Sequence, residues 1–141
     1  MKKVLVTGCC GFIGSNLCKF LLEKKYYVIG VDNLLTGSLS NIKNFDKYSN
    51  FVFINSDICS NLKFNDKIDY IYHFASPASP SDYLRFPIKT LQIGSKGTEN
   101  ILNIALKNNA TILVASTSEV YGDPLEHPQK ETYFGNVNPI G

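Results

Sequence analysis

Val4-Leu5-Val6-Thr7-Gly8-Cys9-Cys10-Gly11-Phe12-Ile13-Gly14 decides the fold. Three β-favouring apolar residues run into glycines at 8, 11 and 14, and an amphipathic stretch follows at once. Strand, tight turn and helix start in that order are the context in which a Gly-rich fingerprint points to a dinucleotide. Gly8 lets the chain turn at the strand end, Gly11 lets backbone N–H groups approach a pyrophosphate, and Gly14 lets the helix lie close to the sheet. The helix start then offers unpaired N–H groups and the positive end of its dipole to phosphates. A purely structural β–α turn would show the same glycines.

Working outward, Phe12 to Lys24 carries Ile13, Leu17, Phe20 and Leu21 at i, i+4, i+7 and i+8. That spacing predicts an amphipathic helix docked through those residues, with Ser15, Asn16, Lys19 and Glu23 facing water. Tyr27–Val31, ending in Asp32-Asn33, reads as a second strand. Leu34–Ser49 reads as a loop with one helical turn near Leu39–Asn44. Phe51–Asn55 is a third strand closing on Asp57, and Ile68–His73 a fourth after a turn at Asn65-Asp66-Lys67. Ser76-Pro77-Ala78-Ser79-Pro80 reads as a loop. Pro87 opens a long helix to Lys107, with Leu91, Thr98, Ile101, Leu102 and Ala105 as its inner stripe. Gly94 and Gly97 inside it suggest a close approach by another group. Thr111–Ala115 is a fifth strand, and a polar, Pro-rich loop follows Ser116.

Strands alternating with helices predict an α/β fold, a Rossmann-type doubly wound parallel sheet with right-handed crossovers. Its ligands sit beyond the carboxyl ends of the strands. Gly8–Gly14, Asp32, Asp57, Ser76–Pro80 and Ser116–Tyr121 all fall on that edge.

The 141 residues bound the chain to one domain, and 44% hydrophobic with 18% charged residues is an ordinary globular balance. A net charge of +2, from 14 basic and 12 acidic residues with no basic cluster beyond Lys24-Lys25, gives no reason to expect nucleic acid or a membrane surface. Cysteines at 9, 10, 18 and 59 form no CxxC pair, and there are only two histidines, so no metal site is expected. Adjacent Cys9 and Cys10 read as small residues in a reducing, cytoplasmic compartment. The apolar run at the start stops at Thr7-Gly8, too short for a signal peptide.

Asp32 lies eighteen residues after Gly14, where a carboxylate accepts from an adenosine ribose and repels a 2′-phosphate. With no Arg nearby, the expected cofactor is NAD, not NADP. Asp57 is placed to accept from the adenine amino group or to serve as a plain turn residue. Phe74-Ala75-Ser76 would pass under the cofactor's middle, and His73 reads as a packed strand-end residue. Ser116-Thr117-Ser118-Glu119 offers hydroxyls and a carboxylate that can bond a sugar hydroxyl and relay its proton, or else satisfy a loop backbone.

TGxxGFIG, the strand-end Asp-Asn, the Ser-Pro-Ala-Ser-Pro loop and STSEVYGDPLEHPQKETYFGNVNPIG together resemble the extended short-chain dehydrogenase/reductase (NAD-dependent epimerase/dehydratase) family, and within it the enzymes that decarboxylate UDP-glucuronate. The resemblance implies NAD-dependent oxidation at C4 of UDP-glucuronate, loss of CO2 from the resulting β-keto acid, and re-reduction to UDP-xylose. It implies cofactor contacts from Gly8, Gly11, Phe12, Ile13, Gly14, Asp32, Asn33, Leu34, Thr36, Gly37, Asp57, Ile58, Phe74 and Ser76. It places Thr117 and Ser118 at the reacting hydroxyl and Glu119 near C5–C6, with Tyr83, Lys89, Asn100 and Lys107 as substrate or cofactor contacts, and a homodimer as the assembly. Two positions depart from the pattern: Cys9 stands where Gly is common, and Gln92-Ile93-Gly94 where relatives carry Lys-Thr-Asn. No Tyr-x-x-x-Lys occurs, although the family's base lies in such a helix. Residues 1–141 therefore read as an incomplete NAD-binding domain, ending before that helix and the substrate domain and inactive alone. A nucleotide-sugar 4,6-dehydratase or epimerase, and a non-catalytic NAD-binding module, are the alternative readings. A dehydratase would favour Asp-Glu where this chain has Ser118-Glu119.

Overall fold

The computed structural model describes residues 1–64 and 66–139. Five parallel strands, β1 (Lys3–Thr7), β2 (Tyr27–Asp32), β3 (Phe51–Asn55), β4 (Tyr70–His73) and β5 (Thr111–Val114), pair in the order β3-β2-β1-β4-β5. The chain winds outward from β1 in one direction through β2 and β3, then returns and winds in the other through β4 and β5. The switch point thus lies between β1 and β4, where Thr7 is in register with His73. β4 starts two residues later than the pattern suggests. Ile68 is still buried, but its N–H goes to the Asn108 side chain and that of Asp69 to the Lys3 carbonyl. The turn expected at Asn65-Asp66-Lys67 includes Asn65, which lies outside the described residues, as do Ile140 and Gly141.

The two-residue period of the strands sorts the core into two layers. Val4, Val6 and Val28 face α1 (Phe12–Glu23), with Cys9, Cys10, Cys18, Leu21 and Leu22. Leu5, Ile29, Val31 and Ile71 face the opposite side, with Ile93, Ile101 and Ala105. The face of α1 differs from the expected one. Ile13 and Phe20 are exposed, at 63% and 54%, whereas Gly14, Ser15, Cys18, Leu21 and Leu22 are buried. Gly14 is the cause. A Cβ there would lie 2.1 Å from the Gly8 carbonyl oxygen, so the helix turns this bare face to the loop and the inward stripe runs 14, 18, 21, 22.

The long helix also departs from regularity. α2 (Pro80–Arg85) begins inside the stretch expected to be loop, capped by Ser79, whose Oγ accepts from the Asp82 N–H. After it, α3 (Pro87–Gln92), a π turn (Ile93–Gly97) and α4 (Thr98–Asn108) follow without a break. The π turn adds a residue to one turn and rotates everything upstream relative to α4. Leu91, upstream, is therefore turned outward, and Ile93, Gly97, Ile101 and Ala105 point inward; Leu102, within the regular α4, is exposed beside the buried Ile101 rather than part of the stripe. Of the two glycines, only Gly97 is closely approached: a Cβ would meet the Ile58 side chain at 2.7 Å, while nothing lies within 4 Å of Gly94. Beyond β5 the described residues, to 139, are loop with one short 3-10 turn, Ser118–Tyr121, and a bridge between Gly122 and Asn136.

Cys9 fits the turn without a left-handed backbone, and Gly30 of β2 makes room for its side chain. A Cβ on Gly30 would lie 2.8 Å from Cys9 Sγ and 3.0 Å from Cys9 Cβ. Gly30→Ala is expected to lower stability by about 1–3 kcal/mol through overpacking. In Cys9→Gly/Gly30→Ala the two losses should add to less than their sum, as read by urea unfolding of the four proteins in the cycle. Strict additivity would mean that the two side chains do not compete for this space.

Candidate functional site: the cleft at the switch point

The turn after β1 is built from its own backbone. Gly8 has φ +72°, and its N–H donates to the Val31 carbonyl of β2 at 2.8 Å. A side chain there would collide with the Phe74 backbone at 2.8 Å, so Gly8 lets the β1 and β4 ends meet. The Gly11 N–H returns to the Gly8 carbonyl, and no side chain caps the start of α1. The first-turn N–H groups are left for a ligand, as an anion site requires.

Above this turn lies a cleft lined by Gly8, Gly11, Asp32, Asn33, Leu35, Thr36, Gly37, Ser56, Ile58, Phe74, Ala75, Ser76, Pro77 and Ile93. Nine of these are among the cofactor contacts implied by resemblance. Leu35, Ser56, Pro77 and Ile93 are additions, apolar or small residues near a strand's carboxyl end except for Ile93, which lies inside the long helix; Ala75 lines the cleft with Phe74 and Ser76, the stretch expected to pass under the cofactor's middle. Of the remaining implied contacts, Gly14 is buried beneath the turn, while Phe12 and Ile13 lie exposed at the start of α1. Leu34, at φ +61°, packs into the α1-side core and donates its N–H to Asp32.

Asp32 is 8% exposed and held at both oxygens: Oδ2 accepts from the Cys10 N–H at 2.9 Å and Oδ1 from the Leu34 N–H at 2.8 Å. The carboxylate is thereby fixed at the cleft wall with lone pairs remaining. Asp57 is the more exposed acid. Its partial burial works against ionisation, yet hydrogen bonds from Cys59 and Asn33, with the Lys89 charge nearby, keep its carboxyl below the usual value. It is thus tied into the loop after β3.

His73 is 5% exposed and joins three elements through hydroxyls. Thr98 Oγ1 donates to the Ile93 carbonyl at 3.2 Å and so accepts from His73 Nε2–H at 3.1 Å. Thr7 Oγ1 accepts from the Ala75 N–H at 3.2 Å and gives its own proton to His73 Nδ1 at 2.7 Å. These partners select the neutral Nε2–H tautomer, and burial lowers the imidazole pKa from 6.5. The packed role expected for His73 is the one it has.

The other implied contacts separate. Thr117, Ser118 and Glu119 lie past the carboxyl end of β5, all exposed, with Thr117 Oγ1 accepting from the Glu119 N–H at 3.2 Å. Lys89 lies near Asp57, and Tyr83 is on α2, 40% exposed. Asn100 spends its amide on the Ile58 and Ser60 carbonyls, clamping the loop under the cleft. Lys107 sits at the far end of α4 with Asn61–Phe64, away from the strands' carboxyl edge.

Residues 5–139 match the family model described as GDP-mannose 4,6 dehydratase. The chain is 48% identical to UDP-glucuronic acid decarboxylase 1 of Danio rerio and 49% identical to UDP-glucuronic acid decarboxylase 6 of Arabidopsis thaliana, each over 140 residues. These alignments take 99% of this chain but 33% and 40% of the relatives, so the chain spans well under half of their length. The dTDP-glucose 4,6-dehydratase of Streptomyces venezuelae, solved with NAD bound, superposes with a TM-score of 0.85 at 27% identity, over 96% of this chain and 46% of that one. A UDP-N-acetylglucosamine 4-epimerase from Methanobrevibacter ruminantium gives 0.81 at 28% identity, over 99% and 44%. Among the described residues no helix is long and apolar enough to cross a membrane.

The His73 arrangement has a pH signature. Its folded pKa lies below 6.5, so on acidification the unfolded chain takes up this proton first. The stability from the neutral ring is fully present above 6.5 and falls as pH drops through and below that value. The urea midpoint should fall between pH ~7.5 and ~5.5, and His73→Gln should flatten that dependence. An unchanged slope in His73→Gln would assign the pH effect to other groups.

Proposed function

The chain belongs to the family described as GDP-mannose 4,6 dehydratase, and on that premise we propose that it is the NAD-binding part of a UDP-glucuronate decarboxylase, which forms UDP-xylose and CO2. The observation that carries the reading is the identity of 48% and 49%, along nearly the whole chain, to proteins of that name. The cleft supports the cofactor half of it. The site fits a dinucleotide: a bare Gly8–Gly11 floor, uncapped N–H groups at the start of α1, and a buried carboxylate at the wall.

In this reading the N–H groups of the turn and of α1 bind the pyrophosphate, and Asp32 accepts from the adenosine ribose hydroxyls. Its charge excludes a 2′-phosphate, which makes NAD the cofactor. Bound NAD supplies a hydride acceptor, and afterwards a hydride donor, at C4 of the sugar. UDP-glucuronate suits such a site because its C6 carboxylate lies β to C4, so a C4 carbonyl stabilises the electrons left when CO2 departs. Thr117 and Ser118 hydrogen-bond the reacting hydroxyl, and Glu119 lies toward C5–C6. The base that removes the hydroxyl proton is not among these residues, since no Tyr-x-x-x-Lys occurs in them. A homodimer is the proposed assembly, supported by the exposed Leu84, Ile88, Leu91, Leu102 and Leu106 of α2–α4. A 4,6-dehydratase or epimerase is the second reading, favoured by the solved structures that superpose; Ser118-Glu119 weighs against a dehydratase.

Calorimetry on the 141-residue chain is expected to show NAD+ binding, NADP+ binding more weakly, and a loss of about 10- to 100-fold in NAD+ affinity for Asp32→Ala, the worth of hydrogen bonds to a charged group. Equal affinity for NADP+ would remove the ribose role of Asp32. The same polypeptide with NAD+ and UDP-glucuronate should release no UDP-xylose, and chromatographic detection of that product would overturn the assignment of the base to residues outside it.

A further inference from the structure

Two thiols that the dinucleotide reading leaves unused cluster with the carboxylate that it assigns to the ribose. Cys9 Sγ and Cys10 Sγ lie 3.9 Å apart, and both lie within 4.8 Å of an Asp32 carboxylate oxygen. Two thiolates on a tetrahedral zinc-like ion, with bonds of about 2.3 Å, stand about 3.8 Å apart. The observed S···S separation matches that of two thiolates on such an ion, and a small inward shift of the Asp32 carboxylate would complete the set. We propose that Cys9, Cys10 and Asp32 form a site for a thiophilic divalent ion of the zinc group, and that its occupation competes with the dinucleotide for Asp32.

Three further observations support this. The cluster is preformed: both thiols are fully buried, and Asp32 is pinned beside them by the Cys10 and Leu34 N–H groups. The space is made by glycines outside the fingerprint. A Cβ on Gly30 would strike Cys9 Sγ at 2.8 Å, and one on Gly37 would come within 2.9 Å of Cys10 Cβ and 3.1 Å of both Asp32 oxygens. The cluster is also within reach of an ion, because Asp32 and Gly37 line the cleft itself. Sequence spacing hides the site, since the third ligand comes from the end of β2, 22 residues after Cys10.

The chemistry is proton displacement. A thiol with no ion beside it keeps its proton near neutral pH, since its ordinary pKa is about 8.5. The ion displaces one proton from each sulfur to solvent and takes both as thiolates, with no change of oxidation state. A carboxylate engaged with the ion no longer offers the same lone pairs to a ribose. By linkage the ion and the dinucleotide then weaken each other by the same factor. The metal site stands on the residues alone; the competition rests on the proposed NAD role of Asp32.

Titration of the 141-residue chain with Cd2+ alone, in a phosphine reductant, tests both parts. The expected result is a thiolate-to-metal charge-transfer band in the ultraviolet that saturates at one equivalent. It should be lost in Cys9→Ala and Cys10→Ala and kept in Cys59→Ala, all checked for folding by circular dichroism. Saturating NAD+ should weaken Cd2+ binding by about 10-fold or more, and Cd2+ should weaken NAD+ equally. The absence of a band in the folded wild-type chain overturns the site, as does a band that follows Cys59; neither needs a folded cysteine variant at position 9 or 10. A band mapped to Cys9 and Cys10 with unchanged NAD+ affinity overturns the competition. A chain that gives the band and binds no NAD+ overturns the dinucleotide reading and leaves the metal site standing.

Discussion

The contact on which the rest of the structure depends is the approach of Gly14 to Gly8. With the Gly14 Cα beside the Gly8 carbonyl, α1 begins so close to the end of β1 that a single methyl group would lie 2.1 Å from that oxygen. The contact fixes where α1 starts, which face it buries, and where its unpaired N–H groups point. On the other side of the turn, Gly8 meets the Phe74 backbone, so β4 leaves the sheet beside β1 and the switch point opens into a cleft. Two backbone clearances, neither involving a side chain, thus set both the packing of the first layer and the position of the anion site.

A second set of contacts stiffens the cleft from below. Thr7, His73 and Thr98 are joined hydroxyl to ring to hydroxyl, and the line continues at both ends into backbone, through the Ala75 N–H and the Ile93 carbonyl. Ala75 and Ile93 both line the cleft. The π turn belongs to this arrangement, because Thr98 Oγ1 reaches back five residues to Ile93. The extra residue that turns Leu91 outward is what brings Ile93 and Gly97 against the sheet and Ile58. Geometry at the floor of the site and the apolar outer face of the helix therefore share one cause.

The sheet and its edge were legible because they rest on local signals. Val4–Val6, Val28–Val31 and Ile71 alternate between the two layers, and Gly8, Asp32 and Ser76 fall at strand ends. The misread features are those set by tertiary contact. The stripe of α1 is displaced by one position, from Ile13 to Gly14, because helical periodicity cannot say which of two neighbouring faces a glycine contact will select. The stripe of the long helix fails at Leu91 because the pattern assumes 3.6 residues per turn throughout, and a π turn interrupts it; within α4 Ile101, and not its neighbour Leu102, is the residue that faces the sheet. Leu35 and Ile93 were missed as cleft residues since an apolar side chain carries no chemical mark of a binding role. Asn100 and Lys107 illustrate the reverse. A polar residue on the right helix reads as a contact until its partners are known, and one clamps a loop while the other lies at the far end.

The two halves of the site differ in how firmly they are held, and the difference follows from burial. Asp32 is nearly enclosed and engaged at both oxygens, so a ligand meeting it finds a carboxylate already oriented and loses little side-chain entropy in binding there. Thr117, Ser118 and Glu119 are exposed on a short 3-10 turn whose backbone is satisfied by Thr117 itself. Any ligand contact made from that turn must order it as it forms, and the ordering cost comes out of the binding free energy. A ligand reaching the Ser118–Tyr121 turn therefore meets exposed groups that it must itself order, whereas one reaching Asp32 meets contacts already made within the described residues. In the proposed function, the buried end is the one already shaped to fix a dinucleotide, and the exposed end gains its hold on a sugar only as the turn is ordered.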